Sequence, residues 1–533
     1  MYDGKKREGF QIDRVVRLTI LQTSDLHGHV LPLDYSTNKQ KNFGLAKISA
    51  IIKKERKESE NVLLIDNGDC IQGTPLTYHH AKKAADQKNP VILAMNALRY
   101  DAAVVGNHEF NYGIDLLKEA ALQSNFPWLS ANILEDGVPL FGKPYLIKKL
   151  GKIKIAILGV TTHYIPNWED PKHIEKLSFE DAFETAKKWA EYIRNVEAPD
   201  LFIVSYHGGF ERDLVTGEPT EALTGENQAY QLCYGINGID VLLTGHQHRT
   251  ISGTVNGVTV VQPSYNGLAL GKVQITFSIN QHQITIQDKS SEIMYPNEIE
   301  TDSSMYELIQ PYEQETQKWL DHPIGRIRGN MRIEEPLAAR MKESAFIEFI
   351  NRVQMEASGA DISNTALFNN SSRGFPENLT MRDIVSNYIY PNTLKVLSLT
   401  GYDIKAALER SASYFMCGEN GEVMVNPKFQ DPKPQHYNYD MWEGIEYVLD
   451  ISKPIGERVI MLKKDQKPLD LEKEYEVVMN NYRASGGGEY TMFKGKNIVK
   501  EVPIDMSELI ANYMLEKKEV KAAVNDNWKV ICS

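Results

Sequence analysis

The sequence predicts an α/β domain followed by a smaller α+β domain, on three observations. A chain of 533 residues is too long for one ordinary hydrophobic core. From Val15 to about Gly271, β-branched apolar runs alternate with amphipathic stretches, the pattern of strands covered by helices on both faces. Beyond Tyr295, helical segments mix with strands without that regular alternation. The expected boundaries are 14–297 for the first domain, 298–324 for a connecting helix and 325–533 for the second domain.

The elements follow in order. VVRLTILQTSD reads as a strand, and GLAKISAIIKKERKES as a helix with apolar positions at 3.6-type spacing. VLLIDNGD, AAVVGNHE, KIAILGVT, LFIVSYHGG and IDVLLTGHQH are further strands. The charged segment from Pro296 to Gly325 reads as the connecting helix. In the second domain ESAFIEFINRVQMEA is helical, TLKVLSLTG, EYVLDI and EYEVVMNNYR are strands, and SELIANYMLEKK is a late helix.

Composition bounds the function. The chain is 42% hydrophobic and 24% charged, as a globular protein is. A formal net charge of -12 and the lack of a basic stripe exclude polymeric nucleic acid as a partner. A small phosphorylated ligand is compatible with it, because bound cations reverse the potential inside one cleft. No run is long and apolar enough to span a bilayer, and MYDGKKREGFQIDR has no apolar signal core. The expected location is therefore cytoplasmic, or extracellular or periplasmic if a leader has been removed; oligomeric state is not legible. Cys70, Cys233, Cys417 and Cys532 form no CxxC pair, which predicts reduced, packed thiols.

Almost every strand of the first domain ends in Asp, His or Asn beside Gly, and ligands of open α/β sheets bind outside the carboxyl ends of strands. In order these residues are Asp25 and His27 in SDLHGH, Asp69 in NGDC, Asn107 and His108 in GNHE, His207 in YHGG, and His246 and His248 in GHQH. Carboxylates, imidazoles and an amide oxygen, without thiolate, suit a dinuclear centre in which one carboxylate bridges two cations. Asp69 fits the bridge. Asp25, His27 and one GHQH histidine would complete the first ligand shell; Asn107, His207 and the other histidine would complete the second. Manganese, zinc, cobalt and iron are all compatible with these donors. His108, beside a ligand but not needed as one, is assigned to phosphate contact and protonation of the leaving oxygen.

These motifs resemble the 5'-nucleotidase branch of the calcineurin-like metallophosphoesterases. The resemblance extends over DLHGH, NGDCIQGTPL, GNHEFNYG, HGG and GHQH, then IYPNTL, NNYRASGGGEY and NDNW. Within that branch the chain is most similar to the 2',3'-cyclic-nucleotide 2'-phosphodiesterase/3'-nucleotidase proteins. The resemblance implies a four-layer sandwich for the catalytic domain and a nucleoside grip on the second domain, where Tyr390 and Tyr482 would sandwich the base, with Asn392 near it and Arg373 a candidate substrate-binding equivalent of the GGxR arginine.

Departures bear on specificity. Many 5'-nucleotidases resemble GNHEFD, whose Asp partners the catalytic His; here the position is Asn111, which orients an imidazole but brings no charge to it. Gly488 stands where GGDGY carries an acid, and the GGxR loop reads NNSSRG. The expected function is two-metal hydrolysis of nucleotide phosphate esters, preferring 2',3'-cyclic nucleotides and 3'-nucleotides. The rivals are a 5'-nucleotidase or UDP-sugar hydrolase, and a catalytically vestigial nucleotide-binding protein.

Overall fold

The computed structural model describes residues 14–532 except 36, 168, 222, 281, 282, 298, 391, 432 and 503. The amino-terminal stretch read above as lacking a signal core, and the expected boundary at 298, lie outside the described residues.

Period-two patterning explains the first domain. Along Arg14–Thr23, Val62–Asp66 and Ala102–Val104, the residues Ile20, Ile65 and Val104 face one way, while Leu21, Leu64 and Ala103 face the other. All are buried, so the strands read as unbroken apolar runs. Two six-stranded sheets result. In the first, Arg14–Thr23, Val62–Asp66, Ala102–Val104 and Trp128–Leu129 run parallel, and Leu270–Ile279 and Ile284–Met294 close one edge antiparallel. In the second, Ile153–Thr161, Leu201–His207, Val241–Thr244 and Val258–Pro263 are parallel, with antiparallel strands at both edges.

The sheets face each other through Ile20, Ile65 and Val104 on one side and Ile157, Ile203 and Leu243 on the other. Helices Leu45–Glu58 and Pro90–Ala97 cover the outer face of the first sheet through Ile48, Ile52, Val91 and Met95. Helix Ala182–Tyr192 covers the second through Phe183 and Ala186. The domain is therefore a four-layer sandwich. The simple alternation of strands and helices corresponds to two sheets, not one.

The connecting helix spans Ser303–Leu320, packs on helices Leu45–Glu58 and Pro90–Ala97 of the first domain, and buries Met305, Ile309 and Leu320. Its start is fixed by Asp302, which accepts from Ser304 N at 3.1 Å and pairs with Lys53 at 2.5 Å. In the second domain a five-stranded sheet orders Asp440–Glu443, Ile362–Ala366, Glu474–Asn480, Leu394–Thr400 and Ile498–Val502, with helix Ala345–Ser358 packed on it. The terminal strand Trp528–Ile531 pairs parallel with Glu446–Asp450.

That terminal strand leads into a correction. Cys417 and Cys532, expected as reduced thiols, form a disulfide with Cα atoms 6.2 Å apart. Their separation of 115 residues hid the pairing, since sequence spacing carries no contact information at that range. Cys70 and Cys233 are free and buried, as expected. Closing so long a loop restricts the unfolded chain, so Cys532→Ser should lower unfolding free energy by about 2 to 4 kcal/mol. Denaturant titration with and without reductant checks this: reductant should move the wild-type midpoint and leave the variant's in place.

Candidate metal and phosphate site

Carboxyl ends of parallel strands from both sheets converge on one edge of the sandwich. Asn67 ties them together, donating Nδ2 to Tyr206 O at 3.1 Å and accepting from Ser205 Oγ at 2.6 Å. Five residues at this edge hold left-handed backbone: Asp25 (φ 52°), His27 (46°), Asp69 (59°), His246 (68°) and His248 (58°). Each costs on the order of 1 to 2 kcal/mol without glycine's freedom, and such outliers cluster at functional sites. Gly106 permits close approach to Asp69, since a Cβ there would sit 2.3 Å from Asp69 Oδ1.

The side chains gather in two adjoining groups. Asp25, His27 and His248 bring ligand-capable atoms within 4.8 Å of one another, as do Asp69, His207 and His246. In the first group His27 Nε2 lies 3.0 Å from His248 Nε2, and His248 Nε2 lies 3.5 Å from Asp25 Oδ1. In the second, His207 Nε2 is 3.2 Å from Asp69 Oδ2. Asn107 Oδ1 sits 3.1 Å from His207 Nε2 and 2.8 Å from His246 Nδ1. His207 and His27 turn Nδ1–H to carbonyls, Asn67 O at 2.6 Å and Gln72 O at 3.2 Å, which leaves Nε2 of each facing the pocket.

Burial sets the charge states. It holds His27 down to about 3 and pushes His246 and His248 below the usual imidazole value, so these rings are neutral near pH 7. Burial would also lower His207, but the facing Asp69 carboxylate outweighs it and lifts the ring to about 10. Asp69 is held well below the usual carboxylate range: burial raises it, and His207, His108 and His27 more than offset that. Desolvation raises Asp25.

His108 donates its backbone N–H to Asp69 Oδ1 at 2.7 Å, and its ring Nδ1 meets Asn111 Oδ1 at 2.7 Å. Tyr390 of the second domain stacks near the His108 ring, with centroids 6.3 Å apart and planes 14° apart. Tyr482 is half-buried and meets Tyr437 edge-on at 6.4 Å. Asn392 is half-buried two residues after Tyr390, its carbonyl accepting from Met506 N. Arg373 is exposed, its carbonyl accepting from Ile333 N. Gly488 has φ +71° and a Cβ there would meet Asn438 Oδ1 at 2.1 Å, so this backbone has no space for the acidic side chain of GGDGY.

Sequence reading missed several groups. Glu109, fully buried, accepts from Gly106 N at 2.6 Å, Asp69 N at 2.7 Å and Cys70 N at 2.6 Å, bracing the Asp69 loop; its place in GNHE was its only signal. Glu226 accepts from His246 Nε2 at 2.9 Å. Lys433 crosses from the second domain to donate to His246 O at 3.2 Å, and Tyr265 stacks on His248 at 4.7 Å. These come from loops without local pattern.

Residues 18–250 match the family model for calcineurin-like phosphoesterase, and residues 323–495 match that for the 5'-nucleotidase C-terminal domain. A Staphylococcus aureus crystal structure, described as a provisional 5'-nucleotidase in complex with alpha-ketoglutarate, superposes with a TM-score of 0.89 at 34% identity, covering 96% of this chain and 99% of that one. The chain belongs to the calcineurin-like phosphoesterases with a 5'-nucleotidase C-terminal domain. It is accordingly a metal-dependent hydrolase of phosphate esters. Among curated relatives, this phosphoesterase is 29% identical to the 2',3'-cyclic-nucleotide 2'-phosphodiesterase/3'-nucleotidase of Yersinia enterocolitica, over 97% of its own length and 88% of the relative's. It is 28% identical to the trifunctional nucleotide phosphoesterase protein YfkN of Bacillus subtilis, of which it spans only 39%. No helix among the described residues is long and apolar enough to cross a membrane.

Proposed function

We propose that this phosphoesterase hydrolyses nucleotide phosphate esters at a two-metal centre and prefers 2',3'-cyclic nucleotides and 3'-nucleotides. The supporting observation is the pair of adjoining ligand groups, Asp25, His27 and His248 in one and Asp69, His207 and His246 in the other, with Asn107 Oδ1 against His207 and His246. Imidazoles turned inward by carbonyl partners, two buried carboxylates and an amide oxygen suit two divalent cations. Asp25, His27, His248 and Asp69 would hold one, and Asp69, Asn107, His207 and His246 the other. When bound, such a pair supplies Lewis acidity to the phosphoryl oxygens and lowers the pKa of water at the site. Manganese, zinc, cobalt and iron all suit these donors.

The chain's own groups do the rest. His108 contacts the phosphate and gives a proton to the leaving oxygen, with Asn111 orienting its ring. Tyr390 and Tyr482 hold the base from the second domain. Stacking contributes on the order of 1 to 3 kcal/mol per base, so Tyr390→Ala should raise KM for a nucleotide about tenfold and leave KM for p-nitrophenyl phosphate within about twofold. Steady-state kinetics on both substrates checks this.

Asn111 in GNHEFN and the similarity to the Yersinia 2',3'-cyclic-nucleotide 2'-phosphodiesterase/3'-nucleotidase support the cyclic and 3'-nucleotide preference. The Staphylococcus structure favours a 5'-nucleotidase as the second reading. Turnover of 2',3'-cyclic AMP, 3'-AMP, 5'-AMP and UDP-glucose on metal-reconstituted protein decides between them, and dominance of 5'-AMP overturns the first reading. The disulfide supports a site of action in an oxidising compartment.

A further inference from the structure

We infer that Glu169 is a positioning residue that fixes, through Asn111, which nitrogen of the His108 ring carries its proton; the inference rests on the reading of His108 given above. Glu169 is 7% exposed and reaches Asn111 from 58 residues away, its Oε2 accepting from Asn111 Nδ2 at 2.7 Å. Its other oxygen, Oε1, accepts from Asp170 N at 2.8 Å and lies 2.8 Å from His173 Nδ1.

A chain of polarity follows from what each group is able to donate. An ionised carboxylate only accepts, so the Asn111 amide must turn its NH₂ toward Glu169. Its oxygen then faces His108 Nδ1 at 2.7 Å, which requires that Nδ1 carry hydrogen. Nε2 of His108 is thereby the nitrogen left for exchange with substrate. An asparagine alone has no such preference, because rotation by half a turn exchanges donor for acceptor at nearly the same shape. Glu169 removes the ambiguity. The family's Asp would impose the same direction on His108 directly; here the carboxylate stands one amide further out.

The segment that carries Glu169 is held by the second domain. Ser485 Oγ donates to Asn167 O at 2.9 Å, and Lys172 pairs with Glu501. The segment is thus tied to the second domain on either side of Glu169.

The test reverses the polarity and then restores it. In Glu169→Gln, the oxygen of the introduced amide keeps the Asp170 N–H, and its NH₂ opposes the NH₂ of Asn111. The Asn111 amide turns over and presents a donor to His108 Nδ1. The double variant Asn111→Asp, Glu169→Gln puts an acceptor back against His108 and a donor behind it. Measured on whichever phosphate ester the wild-type protein turns over fastest, kcat should fall about 10- to 100-fold in Glu169→Gln. KM should stay within about twofold and bound metal should be unchanged. The double variant should return to within about threefold of wild type. A double variant no faster than Glu169→Gln overturns the inference, as does a single variant that loses metal or keeps full kcat. Ring ¹⁵N spectra read the tautomer without turnover: His108 should carry Nδ1–H in wild type and Nε2–H in Glu169→Gln, and the same tautomer in both overturns it. If the wild-type protein hydrolyses no phosphate ester, the functional reading fails, and the spectra still decide the role of Glu169.

Discussion

Asp69→Asn should reduce kcat/KM for a nucleotide ester by at least about 10³-fold, roughly 4 kcal/mol of transition-state stabilisation, and lower bound metal below two ions per chain. The substitution is close to isosteric, and asparagine tolerates the left-handed backbone that Asp69 holds at φ 59°. The backbone N–H of residue 69 still reaches Glu109, and an amide oxygen is still able to accept from His108 N. What is lost is the negative charge at the meeting point of the two ligand groups, facing His207 Nε2 at 3.2 Å. Two cations without a shared anion repel each other, so at least one is released. Metal analysis and steady-state kinetics on the same preparation check both parts; two ions retained with activity within about tenfold of wild type contradicts the bridging role.

His108→Ala should lower kcat about 10²- to 10⁴-fold, the usual contribution of a positioned acid. Metal content should hold, because the hydrogen bond from His108 to Asp69 is made by its backbone N–H, which alanine keeps. A general acid matters most when the leaving oxygen is a poor leaving group. The deficit should therefore be large for a nucleoside leaving oxygen and much smaller for a p-nitrophenyl ester, whose phenolate departs without help. Equal losses on both substrates would assign His108 to phosphate binding alone.

Much of the site was legible in the sequence because it sits at strand ends. Asp25, Asp69, Asn107, His207 and His246 each close an apolar run or follow it within a few residues, and the structure brings them to one edge. His248 joins Asp25 and His27 while His246 joins Asp69, a division that alternation in GHQH left open. The sandwich was less legible from periodicity. Ile20 and Ile157 face each other between the sheets, whereas Leu21 and Leu158 face helices, and an apolar run buried on both faces reads the same in one sheet or two. Glu169, Glu226 and Lys433 were invisible because each reaches the cleft from a loop, where composition carries no period. Cys417 and Cys532 were misread for a related reason, a contact spanning 115 residues.

The account depends on two neighbouring divalent ions sharing Asp69. A crystal grown with excess manganese, measured at an energy that gives manganese anomalous signal, tests it most directly. The account predicts two anomalous peaks, one among Asp25, His27 and His248 and one among Asn107, His207 and His246, with the Asp69 carboxylate between them. A pocket without both peaks, or an Asp69 side chain turned away from them, contradicts it.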